Sequence, residues 1–257
     1  DPYHLIDFIQ STATELGFLE VGFSRADALM EDREKLNAWI EKGYHAGMSY
    51  MENHFEKRTD PRVLMEGTQT IISLVHSYAP KKKLSKESHF KIARYAFGKD
   101  YHDVIREKLR KIVAAIEALT GPVKARVFTD SAPVLDRRWA QKAGLGWIGK
   151  NTCLIHPRHG SWLFIGEILI DLDLPDSNSE IKDFCGGCRK CIEACPTGAL
   201  TEPHQLDSNR CISYHTIENR DDIAECMQGH MHDWIFGCDI CQEVCPWNRV
   251  ATAHDEP

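Results

Sequence analysis

Cys185-Gly186-Gly187-Cys188-Arg189-Lys190-Cys191-Ile192-Glu193-Ala194-Cys195-Pro196 is the stretch on which the reading of this chain turns. Its spacing is C-x2-C-x2-C-x3-C-P. Three thiolates in one tight loop can grip three corners of a cube-shaped cluster. The fourth, just before a proline, starts a helix and points toward a second cube. Pro196 stops the ligand loop and presets the turn that follows. Thiolates are soft ligands, suited to iron–sulfur clusters.

A second run repeats the pattern downstream as Ile235-x-x-Cys238-x-x-Cys241-x-x-x-Cys245-Pro246. Ile235 stands where a first cysteine belongs, so this run is one ligand short. Cys211 is the nearest upstream candidate to fill the gap. Cys226 is the alternative, with no motif around it. In bacterial two-cluster ferredoxins the last cysteine of each run ligates the other cluster. That rule assigns Cys185, Cys188, Cys191 and Cys245 to one 4Fe-4S cluster, and Cys195, Cys211, Cys238 and Cys241 to the other. Cys153 and Cys226 are left over. Two zinc sites would also take cysteines in CxxC pairs. Zinc does not call for a third cysteine at the same step, or for Cys-Pro twice.

The wider composition agrees with a metal-binding C-terminal part. The chain has 257 residues and ten cysteines, nine of them after residue 180. A disulfide scaffold would be small, secreted and loop-rich. Apolar residues make up 42% and charged residues 27%, as in ordinary globular domains. No apolar run approaches the roughly 18 residues of a membrane span, and no secretory signal is visible. A cytoplasmic protein with no membrane partner is expected, and a monomer. The net charge of −7 argues against general electrostatic binding to nucleic acid. Two local basic groups stand against that average: Lys81, Lys82, Lys83, Lys86, Lys91 and Arg94, then Arg106, Lys108, Arg110 and Lys111. Each reads either as a solvated face or as a nucleic-acid contact.

Upstream of the cysteines, apolar spacing predicts helices over 3–16, 33–42, 101–119 and 134–142. Strands are predicted over 19–23, 70–78, 123–128 and 162–170. The helix over 101–119 carries Val104, Ile105, Leu109, Ile112, Val113, Ile116 and Leu119 as its buried stripe. Gly121-Pro122 ends it. Alternating helices and strands point to a layered α/β domain over residues 1–175. The polar segment 173–183, with Pro175, marks the boundary to a ferredoxin-like domain over 176–257. The whole is expected to be α+β. A bare electron carrier could be far shorter, so the N-terminal domain should house the site that consumes the electrons. No Walker loop, dinucleotide fingerprint or serine elbow is present. The thirteen histidines form no ligand motif. Asp130, in Phe128-Thr129-Asp130-Ser131-Ala132-Pro133, follows a strand and precedes a helix. It reads equally as an N-cap for a helix starting near Pro133 or as a proton donor.

Several separated motifs then give a resemblance. They are Lys57-Arg58-x-Asp60-Pro61, Ala93-Arg94-Tyr95-x-x-Gly98-Lys99-Asp100-Tyr101-His102, Thr129-Asp130-Ser131-Ala132-Pro133, and Ala143-Gly144-Leu145-Gly146-Trp147-Ile148-Gly149-Lys150-Asn151. Arg210-Cys211-Ile212-Ser213-Tyr214 follows. The set closes on Phe236-Gly237-Cys238-Asp239-Ile240-Cys241-Gln242 and Cys245-Pro246-Trp247-Asn248-Arg249. In order and content they resemble the epoxyqueuosine reductases over nearly the whole chain.

The resemblance implies a nitroreductase-like layered N-terminal domain that binds cobalamin against the ferredoxin-like part. It implies reduction of epoxyqueuosine to queuosine at the wobble position of tRNA, with electrons passing through two 4Fe-4S clusters to cobalamin. By position, Asp130 matches the family's proton donor. Arg58, Ala93, Asp130, Leu154, Ile165, Ser213 and Asp239 match cobalamin contacts, and Glu218 falls where the family meets tRNA. The eight-cysteine assignment agrees with the family pattern, Cys211 included. The implied partners are the tRNA anticodon stem-loop and an external electron donor whose identity the sequence does not give. Family members continue with helical repeats, whereas this sequence ends at Pro257, as a portion or a shorter variant. The alternatives are a cobalamin enzyme of the reductive dehalogenase kind and a ferredoxin-type carrier without activity on tRNA.

Overall fold

The computed structural model describes residues 2–81, 90–177 and 180–254. Its centre is a four-stranded sheet in the order Glu20–Arg25, Thr70–Ser77, Leu163–Ile170, Ala125–Phe128. Every pair is antiparallel. The alternation of helices and strands along the chain points to a layered α/β domain, a class built on parallel strands. The strands instead reverse direction at each step, so this part is α+β in its own right and the expectation of an α/β sheet is corrected.

Thr70–Ser77 is buried along its whole length because both faces of the sheet are covered. Its side chains alternate between them. Ile72 and Leu74 meet helices Pro2–Glu15 and Tyr101–Thr120, together with Leu5, Ile9, Leu109, Ile112 and Ile116. Ile71 turns the other way, onto Trp139 of helix Asp136–Lys142. Val75 packs with Ala140, Ala143 and Leu154. Each buried Ile or Leu contributes roughly 1.5–3 kcal/mol relative to exposure. Gly22 permits close packing at the edge strand, where a Cβ would lie 2.2 Å from the Ala143 carbonyl oxygen. The long helix follows its expected stripe except at Leu119, which is 50% exposed in the last turn.

The segment placed at the domain boundary is hydrogen-bonded to the sheet. Ser177 N–H donates to the Phe23 carbonyl at 3.0 Å, and the Arg25 N–H donates to Asp176 at 2.6 Å. It covers the free edge of strand Glu20–Arg25, which would otherwise offer unpaired backbone groups.

The cysteine-bearing part is built from short helices inside each run, Lys190–Ala194 and Ile240–Glu243, with Ile212–Ile217 between them; Cys195 ends the first of these rather than starting a helix as expected. It interlocks with the first part. Strand Trp234–Phe236 pairs in parallel with Lys91–Ile92, and Ala253–His254 with Ala79–Pro80. No helix of the described residues is long and apolar enough to cross a membrane.

Candidate active site and cluster cradle

The two cysteine runs fold back on each other. Cys191 lies within electrostatic reach of Cys185 and Cys245, and Cys245 within reach of Cys185 and Cys188. Cys238 faces Cys211 and Cys195, and Cys241 faces Cys211, Cys238 and Cys195. Two sets of four thus gather, and Cys211 sits inside the second. Cys153 lies between them, facing Cys245, Cys191 and Cys241. The Cys226 side chain is outside the described residues. All the described cysteines are free thiols. Burial alone would raise the Cys195 thiol. Hydrogen bonds from Thr197 at 3.5 Å and the Ala199 N–H at 3.3 Å outweigh it and lower it. A buried set of soft sulfurs supplied with N–H and O–H donors suits a thiolate-ligated cluster.

Beside the second set lies a cleft lined by tyrosines and carboxylates. Asp130 stands on the turn after strand Ala125–Phe128, with a left-handed φ of 57°. Its carboxylate Oδ2 accepts from the Tyr101 hydroxyl at 2.5 Å and lies 3.6 Å from His102 Nε2. Asp100 fixes both partners. Its side chain caps the long helix by accepting from the His102 N–H at 2.9 Å, which sets Tyr101 and His102 in the first turn. Tyr101 is stacked on Phe164, with centroids 4.3 Å apart. Asp130 does not act as a helix cap. The helix begins at Asp136 behind Leu135, with no side-chain cap. The rule that sites gather at the carboxyl ends of parallel strands does not apply to this antiparallel sheet.

Tyr95 ties the cleft together. Its phenol is pushed up to about 12, first by burial and then by Asp130, Glu218 and Asp239. Tyr50 is pushed to about 12 by burial, with Glu218 and Asp130 adding and Arg58 opposing. The structure therefore brings Glu218, at the end of helix Ile212–Ile217, into the neighbourhood of Asp130. Asp239 is buried, and burial raises it to about 6 against the opposing Arg94. Its Oδ2 accepts from the Arg94 N–H at 2.9 Å. Ala93 is buried and donates to the Phe236 carbonyl at 2.8 Å. Gly237 passes so close that a Cβ would meet Ala93 Cβ at 2.5 Å. Ser213 lies two residues beyond Cys211. Leu154 and Ile165 share one apolar cluster, and the Ile165 carbonyl accepts from Thr129 at 2.8 Å.

Two observations suit a large, flat cofactor here. Leu163, Phe164 and Ile165 are half-exposed at the start of a strand whose remaining residues are buried. Arg58 is 7% exposed, yet its Nε has no hydrogen-bond partner among the described residues. Its Nη2 donates to the Tyr50 carbonyl at 3.0 Å.

Sequence reasoning missed Tyr50, Tyr101, His102 and Asp136. The hydroxyl and imidazole followed a glycine and an aspartate in a quoted motif. Asp136 carried no signal beyond its place six residues after Asp130. Its carboxyl is pushed up to about 7 by burial, with Asp130 adding and Arg137 and Arg58 opposing. The Glu167 carboxyl, buried behind it, is held well above its usual range by burial first and by Asp136. Ser73 donates to Glu167 at 2.8 Å. A raised carboxyl favours the fold below its ordinary value of 3.8, and that contribution is lost as pH rises through about 7. Asp136→Asn should therefore melt higher than the native protein near pH 8, the gap narrowing toward pH 4. Thermal melts across that range check it, and a pH-independent gap would refute it.

The basic groups have local partners. Arg94 pairs with Glu243 at 3.1 Å and lies 4.5 Å over Trp162. Arg106 pairs with Asp103 at 3.2 Å and Lys111 with Glu107 at 2.7 Å. Lys82, Lys83 and Lys86 lie outside the described residues. Contrary to the reading of scattered histidines, His156, His159 and Glu20 place ligand-type atoms within 4.8 Å of one another. His156 Nδ1 accepts from the Arg158 N–H at 3.0 Å, and Arg158 pairs with Glu20. That is a hydrogen-bonded surface knot. A cavity of about 440 Å³ beside it, lined by Tyr3, Glu20 and His156, shares no residue with the Asp130 cleft.

Comparison with known proteins follows this geometry. The family described as "4Fe-4S double cluster binding domain" matches residues 184–248, and "Epoxyqueuosine reductase QueG, DUF1730" matches 58–131. An epoxyqueuosine reductase of Leadbetterella byssophila is 50% identical over 246 residues, covering 96% of this chain and 80% of the relative. A crystal structure of an epoxyqueuosine reductase with an epoxyqueuosine-modified tRNA-Tyr stem loop superposes with a TM-score of 0.93 at 30% identity. It covers 99% of this chain and 68% of that one. A Bacillus subtilis epoxyqueuosine reductase, whose catalytic aspartate loop is swung out of the active site, gives 0.90 at 30% identity over 97% of this chain and 66% of that one. On the identity with its relatives, and with the double-cluster match over its cysteine runs, this chain belongs to the epoxyqueuosine reductase family.

Proposed function

We propose that this protein reduces epoxyqueuosine to queuosine in the anticodon loop of tRNA. The observation that carries the reading is the gathering of Asp130, Glu218 and Asp239 within electrostatic reach of the Tyr95 phenol, with Asp239 next to the cluster cysteine Cys238. Removing the epoxide oxygen as water consumes two electrons and two protons and leaves an alkene. When bound, cobalamin supplies the reduced cobalt that opens the epoxide, fed by two 4Fe-4S clusters.

The chain's own residues do the rest. Cys185, Cys188, Cys191 and Cys245 hold the outer cluster, and Cys195, Cys211, Cys238 and Cys241 the inner one. Arg58, Ala93, Leu154, Ile165, Ser213 and Asp239 hold cobalamin. Ala93, Leu154 and Ile165 do so through backbone and packing. Asp130 gives a proton to the departing oxygen, positioned by Tyr101 and His102. Glu218 meets the tRNA. Residues 1–175 act as a nitroreductase-like catalytic domain and 176–257 as the ferredoxin-like one. The protein works as a cytoplasmic monomer with an external electron donor. The 50% identity with an epoxyqueuosine reductase supports this reading over the dehalogenase and bare-carrier ones.

The test is anaerobic reconstitution with clusters and cobalamin, a strong reductant, and an anticodon stem-loop containing epoxyqueuosine. Mass spectrometry should find queuosine. No product from intact, fully loaded protein would sink the reading. If phosphate contacts hold the stem-loop, KM should rise steeply with salt.

A further inference from the structure

The outer cysteine loop is gripped by the segment Trp147-Ile148-Gly149-Lys150-Asn151. Lys150 Nζ donates to the Gly186 carbonyl at 2.5 Å and to the Cys188 carbonyl at 2.9 Å. Its backbone N–H is aimed at the Cys185 thiol, and so is the Trp147 indole. Trp147 is fully buried, and its Nε1 has no hydrogen-bond partner among the described residues. Phe184 and Trp247 wall it in, with ring centroids 5.4 and 4.9 Å away. The Lys150 ammonium is thus locked over a loop whose outer face, Gly186-Gly187, is open to solvent.

In the outer loop Asp183 accepts from the Cys185 N–H at 2.7 Å, and beside the inner set Arg94 lies 3.8 Å from Asp239 and 3.1 Å from Glu243. Asp239 is buried beside Cys238, and Glu243 adds to it. Asn151, next to Lys150, reaches the Cys241 carbonyl with a neutral amide at 3.5 Å. One five-residue segment therefore sets a cation against the outer loop and an uncharged group against the inner one.

We propose that Lys150 and Trp147 raise the reduction potential of the cluster in the outer loop, so that electrons enter the protein there. The proposal rests on the reading that Cys185, Cys188, Cys191 and Cys245 hold a 4Fe-4S cluster. Adding one electron to a cluster makes it more negative. A fixed cation and N–H donors aimed at its sulfur stabilise that reduced form more than the oxidised one. Both loops have a carboxylate neighbour, Asp183 and Asp239, so it is the Lys150 ammonium held on the Gly186 and Cys188 carbonyls that sets the outer one apart. The open Gly186-Gly187 face lets an external donor reach the outer one.

The test is an EPR-monitored redox titration of the holoenzyme. In Lys150→Gln, one cluster should shift to a more negative potential and the other should not move. At a fixed potential near its midpoint, its reduced fraction relative to oxidised should fall by about tenfold, or about 59 mV for one electron. Trp147→Phe should shift the same cluster in the same direction by less, and Lys150→Arg should restore most of the native value. Unmoved potentials in a Lys150→Gln protein with full iron overturn the proposal. If Lys150→Gln loses iron, Trp147→Phe with native potentials overturns it. Failure of the underlying reading looks different: the native protein itself would then show iron for fewer than two clusters.

Discussion

Asp130→Asn should keep both clusters and cobalamin and lose at least about 100-fold in turnover. Asparagine is the informative replacement at this place. The turn holds residue 130 at a φ of 57°, a conformation that aspartate and asparagine tolerate and most other residues resist. The amide oxygen can still accept from Tyr101, so the loop keeps its anchor. What disappears is the acidic proton. Cobalamin retention is read from the visible spectrum and turnover from product mass. Unchanged activity would remove Asp130 from the mechanism. A variant that lost cobalamin as well would show instead that the residue serves the cleft's shape.

Cys211→Ala should lose one cluster entirely, whereas Cys226→Ala should lose none. Cys211 sits with Cys195, Cys238 and Cys241 at the start of helix Ile212–Ile217. Without it three sulfurs remain around a position that needs four. Iron content should fall to roughly half, with one reduced-cluster EPR signal missing. Electron delivery would stop with it, because the inner set is the one beside Asp239 and the cleft. Full iron in Cys211→Ala, or a deficit in Cys226→Ala, would reverse the assignment.

Much of this was legible in the chain. The cysteine spacing is rigid chemistry, so it names its cofactor almost without reference to the fold. The stripe of the long helix is equally plain, because both neighbouring strands and helix Pro2–Glu15 bury it. It fails only at Leu119, where the last turn runs past the sheet. Strand direction was not legible. Helix and strand alternation looks the same whether the chain crosses over or doubles back, and here it doubles back. Nor could the sequence show that Tyr101 reaches Asp130 across 29 positions. Such contacts depend on where separate elements land. Asp136 and Glu167 look like surface carboxylates in one dimension, and only packing reveals that Glu167 is sealed and Asp136 half-buried in front of it.

The pairing of Trp234–Phe236 with Lys91–Ile92 bears on how the protein matures. That short strand leads through Gly237 directly into Cys238, and on its other side it closes the wall behind Ala93 and Tyr95. The wall is also held by the packing of Ala93, Ile212 and Trp234, by the Gly237 N–H donating to Thr216 at 2.9 Å and by Asp239 accepting from the Arg94 N–H at 2.9 Å. Ordering of the Cys238 loop by a cluster would therefore also act on the wall behind Ala93 and Tyr95.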